Sequence, residues 1–311
     1  VSEVVFAFPG HEALARLLAA RPGAVEGALV LRRFPDGETY VRLDAPVAGR
    51  DAILVCGLHR PDEKLLPLAF AAGAARDLGA ASVGIVAPYL GYLRQDKRFQ
   101  DGEAVSSATF AKLLSGCADW LVTVDPHLHR YRSLEEIYSL RTAVAHAAPE
   151  ISAWIRGHVE AALLVGPDAE SEQWVAEVAR RAGCPHIVLD KIRHGDREVE
   201  VSVPAIEHHR GRTPVLIDDI ISTGGTMAEA VARLGRAGMR PPVCIGVHAL
   251  FADEADAVLL VAGASRVVSC NTIAHATNAI DVNAAIVEAV ARLRQGAEAS
   301  APASPARPVR V

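Results

Sequence analysis

The feature that most restricts this chain is an alternation that recurs along its whole length. Short runs rich in Val, Ile and Leu give way to longer Ala- and Leu-rich stretches, the pattern of strands joined by crossover helices around a mainly parallel sheet. Val4–Phe8, Ala28–Phe34, Ala52–Leu58, Val83–Pro88 and Trp120–Val124 read as strands. Between them, Glu63–Leu78 and Ser106–Ser115 read as helices closed by Gly79 and Gly116, with Pro67 placed about one turn into the first, where proline is tolerated. The rhythm then restarts. Ala162–Gly166, His186–Asp190, Pro214–Ile221, Val243–Ala249 and Val267–Cys270 read as strands. Glu170–Ala182, Thr226–Ala237, Asp253–Ala262 and Ala284–Arg294 read as helices, several closed by Gly183, Gly238 and Gly263. The expected fold class is α/β with two similar domains, 1–147 and 148–295, each a mainly parallel sheet flanked by helices. The seam is expected near Ala147–Ser152, around Pro149. From Gly296 onward an Ala, Ser, Pro and Arg composition without apolar periodicity predicts a disordered tail, 296–311.

Composition narrows the class. The 311 residues suffice for two domains, and 50% hydrophobic with 22% charged residues is a globular balance, not a disordered one. Apolar runs such as Ala52–Cys56 and Ala161–Val165 fall far short of the about 20 residues needed to cross a bilayer, so no membrane partner is expected. The amino end has Glu3 before its first apolar stretch and no basic leader, which predicts no secretory signal. With 32 Lys and Arg against 37 Asp and Glu, the net charge of −5 argues against a general nucleic-acid binder, while leaving room for a local phosphate site. Five cysteines (56, 117, 184, 244 and 270) form no CxxC pair, which excludes a structural zinc site. Cys56, Cys184, Cys244 and Cys270 lie in or beside apolar runs and are expected as buried, reduced thiols. A cytoplasmic location follows by elimination.

One segment carries most of the chemistry. In Val215-Leu-Ile-Asp-Asp-Ile-Ile-Ser-Thr-Gly-Gly-Thr226 an apolar strand ends on two adjacent carboxylates, then turns through hydroxyls and glycines into a helix starting near Met227. The turn's amides and the helix's free N–H groups suit a phosphate, and Gly224 and Gly225 let backbone approach it. Ser222, Thr223 and Thr226 add hydroxyl donors, while Asp218 and Asp219 can accept from sugar hydroxyls or hold a magnesium hydration shell. The plainer reading is a strand-to-helix turn with an N-capping threonine. That reading leaves two acids at the end of an apolar strand unexplained.

Five further segments stand out. Phe34-Pro-Asp-Gly-Glu38 follows a strand and reads as a turn bearing two outward carboxylates. Arg94-Gln-Asp-Lys-Arg98 is by default a solvated charge run. Thr123-Val-Asp-Pro-His127 puts His127 at a strand end, with His129 just beyond; these are surface residues or metal ligands, and zinc lacks a third nitrogen or sulfur nearby. Gly166-Pro-Asp-Ala169 puts Asp168 in a loop after an apolar strand, and Asp190-Lys-Ile-Arg193 puts Lys191 and Arg193 on one face of an extended segment.

In order and spacing these segments resemble the successive motifs of the ribose-phosphate pyrophosphokinases, from about Phe34 to Ile280, with wording closest to the archaeal-type branch. The sugar loop alone also resembles that of type I phosphoribosyltransferases. The resemblance implies two phosphoribosyltransferase-like domains, ATP on the first and ribose 5-phosphate on the second. It implies Mg2+ as cofactor, held by His127 and Asp168, and a homo-oligomer. By the same resemblance Phe34, Asp36, Gly37 and Glu38 meet adenine or a neighbouring subunit. Arg94 and Gln95 sit on a mobile loop that closes over ATP, Lys191 and Arg193 are catalytic, and Asp218 to Thr226 with Arg193 hold ribose 5-phosphate. Asp168-Ala-Glu-Ser171 departs from the family's Asp-Ala-Gly-Gly, which puts the backbone there in question but not the carboxylate. The rival activities are a phosphoribosyltransferase, which needs no ATP, and a silent regulatory homologue, which should lack the intact Lys191/Arg193 pair. Phosphate-activated members build an anion site where this chain has Pro46-Val-Ala48, Gln100, Gly102 and His129. No phosphate activation is therefore expected.

Overall fold

The computed structural model describes residues 2–167, 171–189, 206 and 208–300, the side chains of 173 and 297–300 excepted. The first sheet comprises β1 (Glu3–Ala7), β2 (Ala24–Arg33), β3 (Thr39–Asp44), β4 (Asp51–Val55), β5 (Ser82–Ala87), β6 (Trp120–Val124) and β7 (Arg141–Ala145). Its spatial order is β3-β2-β1-β4-β5-β6-β7, parallel throughout except for the β2–β3 hairpin. The second sheet comprises β8 (Ala162–Gly166), β9 (His186–Val188), β10 (Thr213–Ile221), β11 (Val243–Ala249), β12 (Arg266–Cys270) and β13 (Asn278–Ile280). It is fully parallel, in the order β13-β12-β11-β10-β8-β9. The α-helices of the described residues are α1 (Glu12–Ala19), α2 (Pro61–Asp77), α3 (Ser106–Cys117), α4 (Ala148–His158), α5 (Glu172–Ala182), α6 (Gly225–Arg236), α7 (Ala255–Val261) and α8 (Asn283–Ser300).

The expected α/β architecture is present, and the closing glycines Gly79, Gly183, Gly238 and Gly263 all take a positive φ. Three expectations about helices need correction. The helix placed at Glu63 starts at Pro61, so Pro67 stands inside it and removes an amide that would have bonded the Glu63 carbonyl. Gly116 does not close α3, which continues to Cys117 and stops at an extended Ala118. Pro149, near the expected seam, stands in the first turn of α4, where proline fits, between the last strand of the first sheet and the first of the second. Gly296, where a tail was expected to start, lies within α8, which runs to Ser300; residues 301–311 lie outside those described.

The two sheets share an apolar core. One cluster extends from Val5, Ile53 and Val122 on the first sheet, through Ile151 and Ile155 of α4, to Val215, Ile217 and Ile245 on the second. Separate clusters fill the outer faces, Leu54 and Ile85 with α2 and α3, and Leu216 and Cys244 with α6 and α7. Close packing dictates some residue choices: a Cβ on Gly84 of β5 would lie 2.0 Å from the Trp120 ring on β6. All five cysteines are free, with Cys56, Cys244 and Cys270 buried and Cys117 and Cys184 only partly so. Among the described residues no helix is long and apolar enough to cross a membrane.

Each sheet reverses its winding at one point, the crevice where open α/β sheets bind ligands. In the second sheet this lies between β8 and β10. In the first it lies between β1 and β4, where the His11 ring packs against Gly57 and its Nε2 accepts the Gly57 N–H at 2.8 Å. Burial there pushes the His11 imidazole down to about 4.

The last helix returns to the first sheet, packing on β6, β7 and α1. Its Arg294 is clamped between two acids, Glu3 on β1 at 3.3 Å and Asp51 on β4, while Arg21 pairs with Glu3 and the Ser82 hydroxyl donates to Asp51. Asp51 is 3% exposed. Replacing Arg294 by Met should lower stability by about 3–5 kcal/mol, because it strands a buried carboxylate without its cation. Urea unfolding of the variant checks this, and a loss within experimental error of zero would contradict it.

Candidate active site

The chemistry of the second sheet collects at the carboxyl end of β10. Its pairing with β8 ends at Leu216, so Asp218 and Asp219 extend past that neighbour while β11 still supports them from the other side. On the freed edge the Asp219 amide donates to the Asp218 carboxylate (2.9 Å) and the Ile220 amide donates to that of Asp219 (2.7 Å). Gly224 then turns the chain with φ +74 and is itself the N-cap of α6. The capping threonine of the plainer sequence reading is absent: no side chain caps this helix. Thr223, Gly225 and Thr226 are exposed, so the first-turn amides and two hydroxyls open together toward solvent, as an anion seat requires.

The first sheet meets this edge with the carboxyl end of β6. Asp125, φ +28, bends the chain out of the strand, and two residues later His127 Nδ1 lies 2.6 Å from Asp219 Oδ2. The hydrogen bond to Asp219 holds the His127 imidazole above its ordinary pKa, against the opposing pull of burial. Burial pushes Asp219 up, but the bond and charge of His127 outweigh it, leaving the carboxylate below its usual value. Asp218 and Arg94 also act on His127 through their charges, so sequence-distant candidates converge here.

Arg94 and Gln95 form one wall of a cavity of about 360 Å3, completed by Arg60, Pro61, Tyr89, Gly91, Tyr92 and Leu250. Its aromatic and proline walls with two guanidinium groups suit a planar base carrying phosphates. Sequence reasoning assigned no role to Arg60, Tyr89, Tyr92 or Leu250. Arg60 and Tyr92 have φ +49 and +62, rare for such residues and a mark of functional loops, but invisible in the sequence. Asp96 shows that the neighbouring charge run is not simply solvated: it is buried, 3.3 Å from Arg130 Nε and 3.6 Å from His129 Nδ1.

Other expected residues are not brought together with these. The turn Phe34–Glu38 closes the β2–β3 hairpin, with Gly37 at φ +93, and is absent from the cavity wall. Phe34 is 38% exposed and packs against Tyr40 under the Arg32 guanidinium. Asp168, Lys191 and Arg193 lie outside the described residues. Among the described residues no group of three His, Cys, Asp or Glu is gathered for a metal, but adjacent carboxylates on an open strand edge are the oxygen donors that magnesium favours.

Comparison with known proteins bears on the whole arrangement. Residues 4–117 match the N-terminal domain of ribose phosphate pyrophosphokinase, and 133–285 match the phosphoribosyl transferase domain. The ribose-phosphate pyrophosphokinase 2 of Archaeoglobus fulgidus is 35% identical over 280 residues, 90% of this chain and 97% of that one. The chain belongs to the ribose-phosphate pyrophosphokinases. The ribose-phosphate pyrophosphokinase of Thermoplasma acidophilum is also 35% identical, over 229 residues, 74% of this chain and 78% of its own. The crystal structure of the phosphoribosylpyrophosphate synthetase from Mycobacterium smegmatis superposes with a TM-score of 0.81 at 25% identity, covering 96% of this chain and 100% of that one. Membership makes the chain an enzyme of this class and agrees with the expected pair of phosphoribosyltransferase-like folds.

The His127–Asp219 contact has a measurable signature. Because folding raises the imidazole pKa, the imidazole's contribution is complete below 6.5 while Asp219 stays ionised, and is lost as pH rises through the raised value. In Asp219→Asn only burial and the remaining charges act, so the His127 titration in the ligand-free protein should move down. NMR titration of the imidazole resonances checks this; an unchanged midpoint would mean the contact is not populated in solution.

Proposed function

We propose that this enzyme transfers the pyrophosphoryl group of MgATP to the 1-hydroxyl of ribose 5-phosphate, giving phosphoribosyl pyrophosphate and AMP. The observation that carries this reading is the 2.6 Å contact between His127 and Asp219, which joins a cavity suited to a nucleotide to a strand-end loop suited to a sugar phosphate. The sugar's 1-oxygen forms a bond to the β-phosphorus as the bond from that phosphorus to the α–β bridging oxygen breaks; AMP leaves with the bridging oxygen, and the hydroxyl proton is released to solvent. Positioning and charge do most of the work in such transfers. The loop Ser222–Thr226 holds the 5-phosphate through amides and hydroxyls, and Asp218 and Asp219 accept from the ribose hydroxyls. Arg94, Gln95 and the aromatic walls seat the nucleotide.

Magnesium would be held by Asp168 and His127, and it would neutralise phosphate charge. His127 would offer Nε2 to the ion while its Nδ1 keeps the Asp219 contact, the carboxylate then orienting the ring. Lys191 and Arg193 are assigned the charge of the transferring group by resemblance. Phe34, Asp36, Gly37 and Glu38 do not line the cavity of their own chain, which supports their supply to the ATP site of a neighbouring copy in a homo-oligomer.

The decisive assay is AMP formation from ATP, ribose 5-phosphate and magnesium, begun without inorganic phosphate and followed through a phosphate titration. Full activity without phosphate is expected, since Pro46 and Ala48 offer neither the hydroxyl nor the guanidinium of an activating anion site. No AMP under any condition would refute the proposed reaction. Saturable activation of more than a few-fold would refute phosphate independence alone.

A further inference from the structure

We infer that His248, on β11, is a positioning residue that fixes the seat of His127 from across the join between the two sheets. His248 is 1% exposed. Its Nε2 lies 3.1 Å from the Val124 carbonyl oxygen and 3.2 Å from that of Asp125, the residues at which β6 ends and turns toward His127. Carbonyls only accept, so Nε2 carries the hydrogen and shares it between them. On the other side Nδ1 lies 2.9 Å from Thr272 Oγ1, which is also 2.7 Å from the Val247 carbonyl oxygen. Burial holds the imidazole below its ordinary pKa and so neutral. A neutral ring with its hydrogen on Nε2 can only accept at Nδ1, so the single Thr272 hydroxyl hydrogen is shared between Nδ1 and the Val247 carbonyl.

The turn that His248 holds is otherwise costly. Asp125 takes φ +28, a conformation a non-glycine residue keeps only when its surroundings over-determine it. Those surroundings are complete. The Asp125 amide donates to Ala145, its carboxylate accepts from the Ala147 amide and the His146 ring at 2.8 Å each, and its carbonyl accepts from His248. The first three contacts belong to β7 and the segment entering α4; His248 supplies the hold from the second sheet. Its strand neighbour on β10 is Ile220, one residue beyond Asp219. The turn before His127 is thus gripped from β11, and the His127 side chain is met from β10. The Tyr89 ring, a wall of the cavity, rests edge-on against His248 at 5.0 Å. One buried imidazole therefore connects the nucleotide wall, the His127 turn and the strand beside the sugar loop. What the seat serves rests on the proposed reaction; that His248 sets it does not.

The test compares His248→Leu, which removes the donor, with His248→Gln, whose side-chain amide carries an N–H near the position of Nε2. His248→Leu should lower kcat about 10- to 100-fold, the scale of an ångström-sized misplacement, with KM for ribose 5-phosphate within about twofold. His248→Gln should recover to within about threefold of wild type. Thr272→Val, a milder change that keeps the fold if His248→Leu does not, should lower kcat several-fold with the same KM pattern. Backbone hydrogen exchange over residues 124–129 should quicken in His248→Leu and Thr272→Val but not in His248→Gln. Wild-type kcat and unchanged exchange in the Leu or Val variant would overturn the inference, as would equal damage in Gln and Leu. If wild-type protein makes no phosphoribosyl pyrophosphate, the reaction is wrong, and the exchange comparison alone still decides whether His248 holds the turn.

Discussion

The arrangement depends on two parallel sheets sharing one apolar core. Burying Val122 of β6 and Ile217 of β10 in the same cluster leaves the carboxyl ends of those strands to meet at its edge. Strand ends carry polar backbone that must be satisfied, and at this join the Val124 and Asp125 carbonyls find a partner on the second sheet. The His248 ring answers the carbonyls that end β6, and Asp219 answers His127. The interactions that close the join are therefore the ones that align the candidate site.

The two sheets contribute unequally to that site. The second uses its reversal point, where β10 outruns β8 and Gly224 opens an uncapped helix start. The first has its reversal crevice occupied by His11 packed on Gly57, and it offers the end of β6 and the loop following β5 instead. A common fold thus serves different ends in its two copies, because side chains rather than strand order decide which crevice is open.

Legibility in the sequence followed burial and locality. Trp120–Val124, Ala162–Gly166 and Val243–Ala249 were readable to the residue because every position in them is buried, giving mainly apolar runs broken only by Thr123 and His248. β3, β7 and β13 were missed because each is an edge or short strand with partly exposed positions and mixed composition. The loop proposed for the sugar phosphate was legible because Asp218 to Thr226 are contiguous, so composition and order point to the chemistry together. The cavity beside Arg94 and Gln95 was only half legible. Arg94 and Gln95 lie in a conspicuous charge run, whereas Arg60, Tyr89, Tyr92 and Leu250 come from three separate strand ends with no shared pattern. Nor does anything local link His127 to Asp219, 92 residues away; only the packing of the two sheets makes them neighbours.

A site divided between two sheets makes a crossed binding pattern the most direct measurement. Ribose 5-phosphate and a non-hydrolysable ATP analogue are titrated separately, by calorimetry with magnesium, into Thr226→Val and Arg94→Ala. The Thr226 variant should bind ribose 5-phosphate up to about tenfold more weakly, the scale of one lost hydrogen bond, and the analogue unchanged. Arg94→Ala should lose a comparable or larger factor for the analogue, through a charge-assisted contact, and leave ribose 5-phosphate unchanged. If each variant weakened both ligands equally, or the losses fell on the opposite ligand, the assignment of nucleotide to the first sheet and sugar phosphate to the second would be wrong.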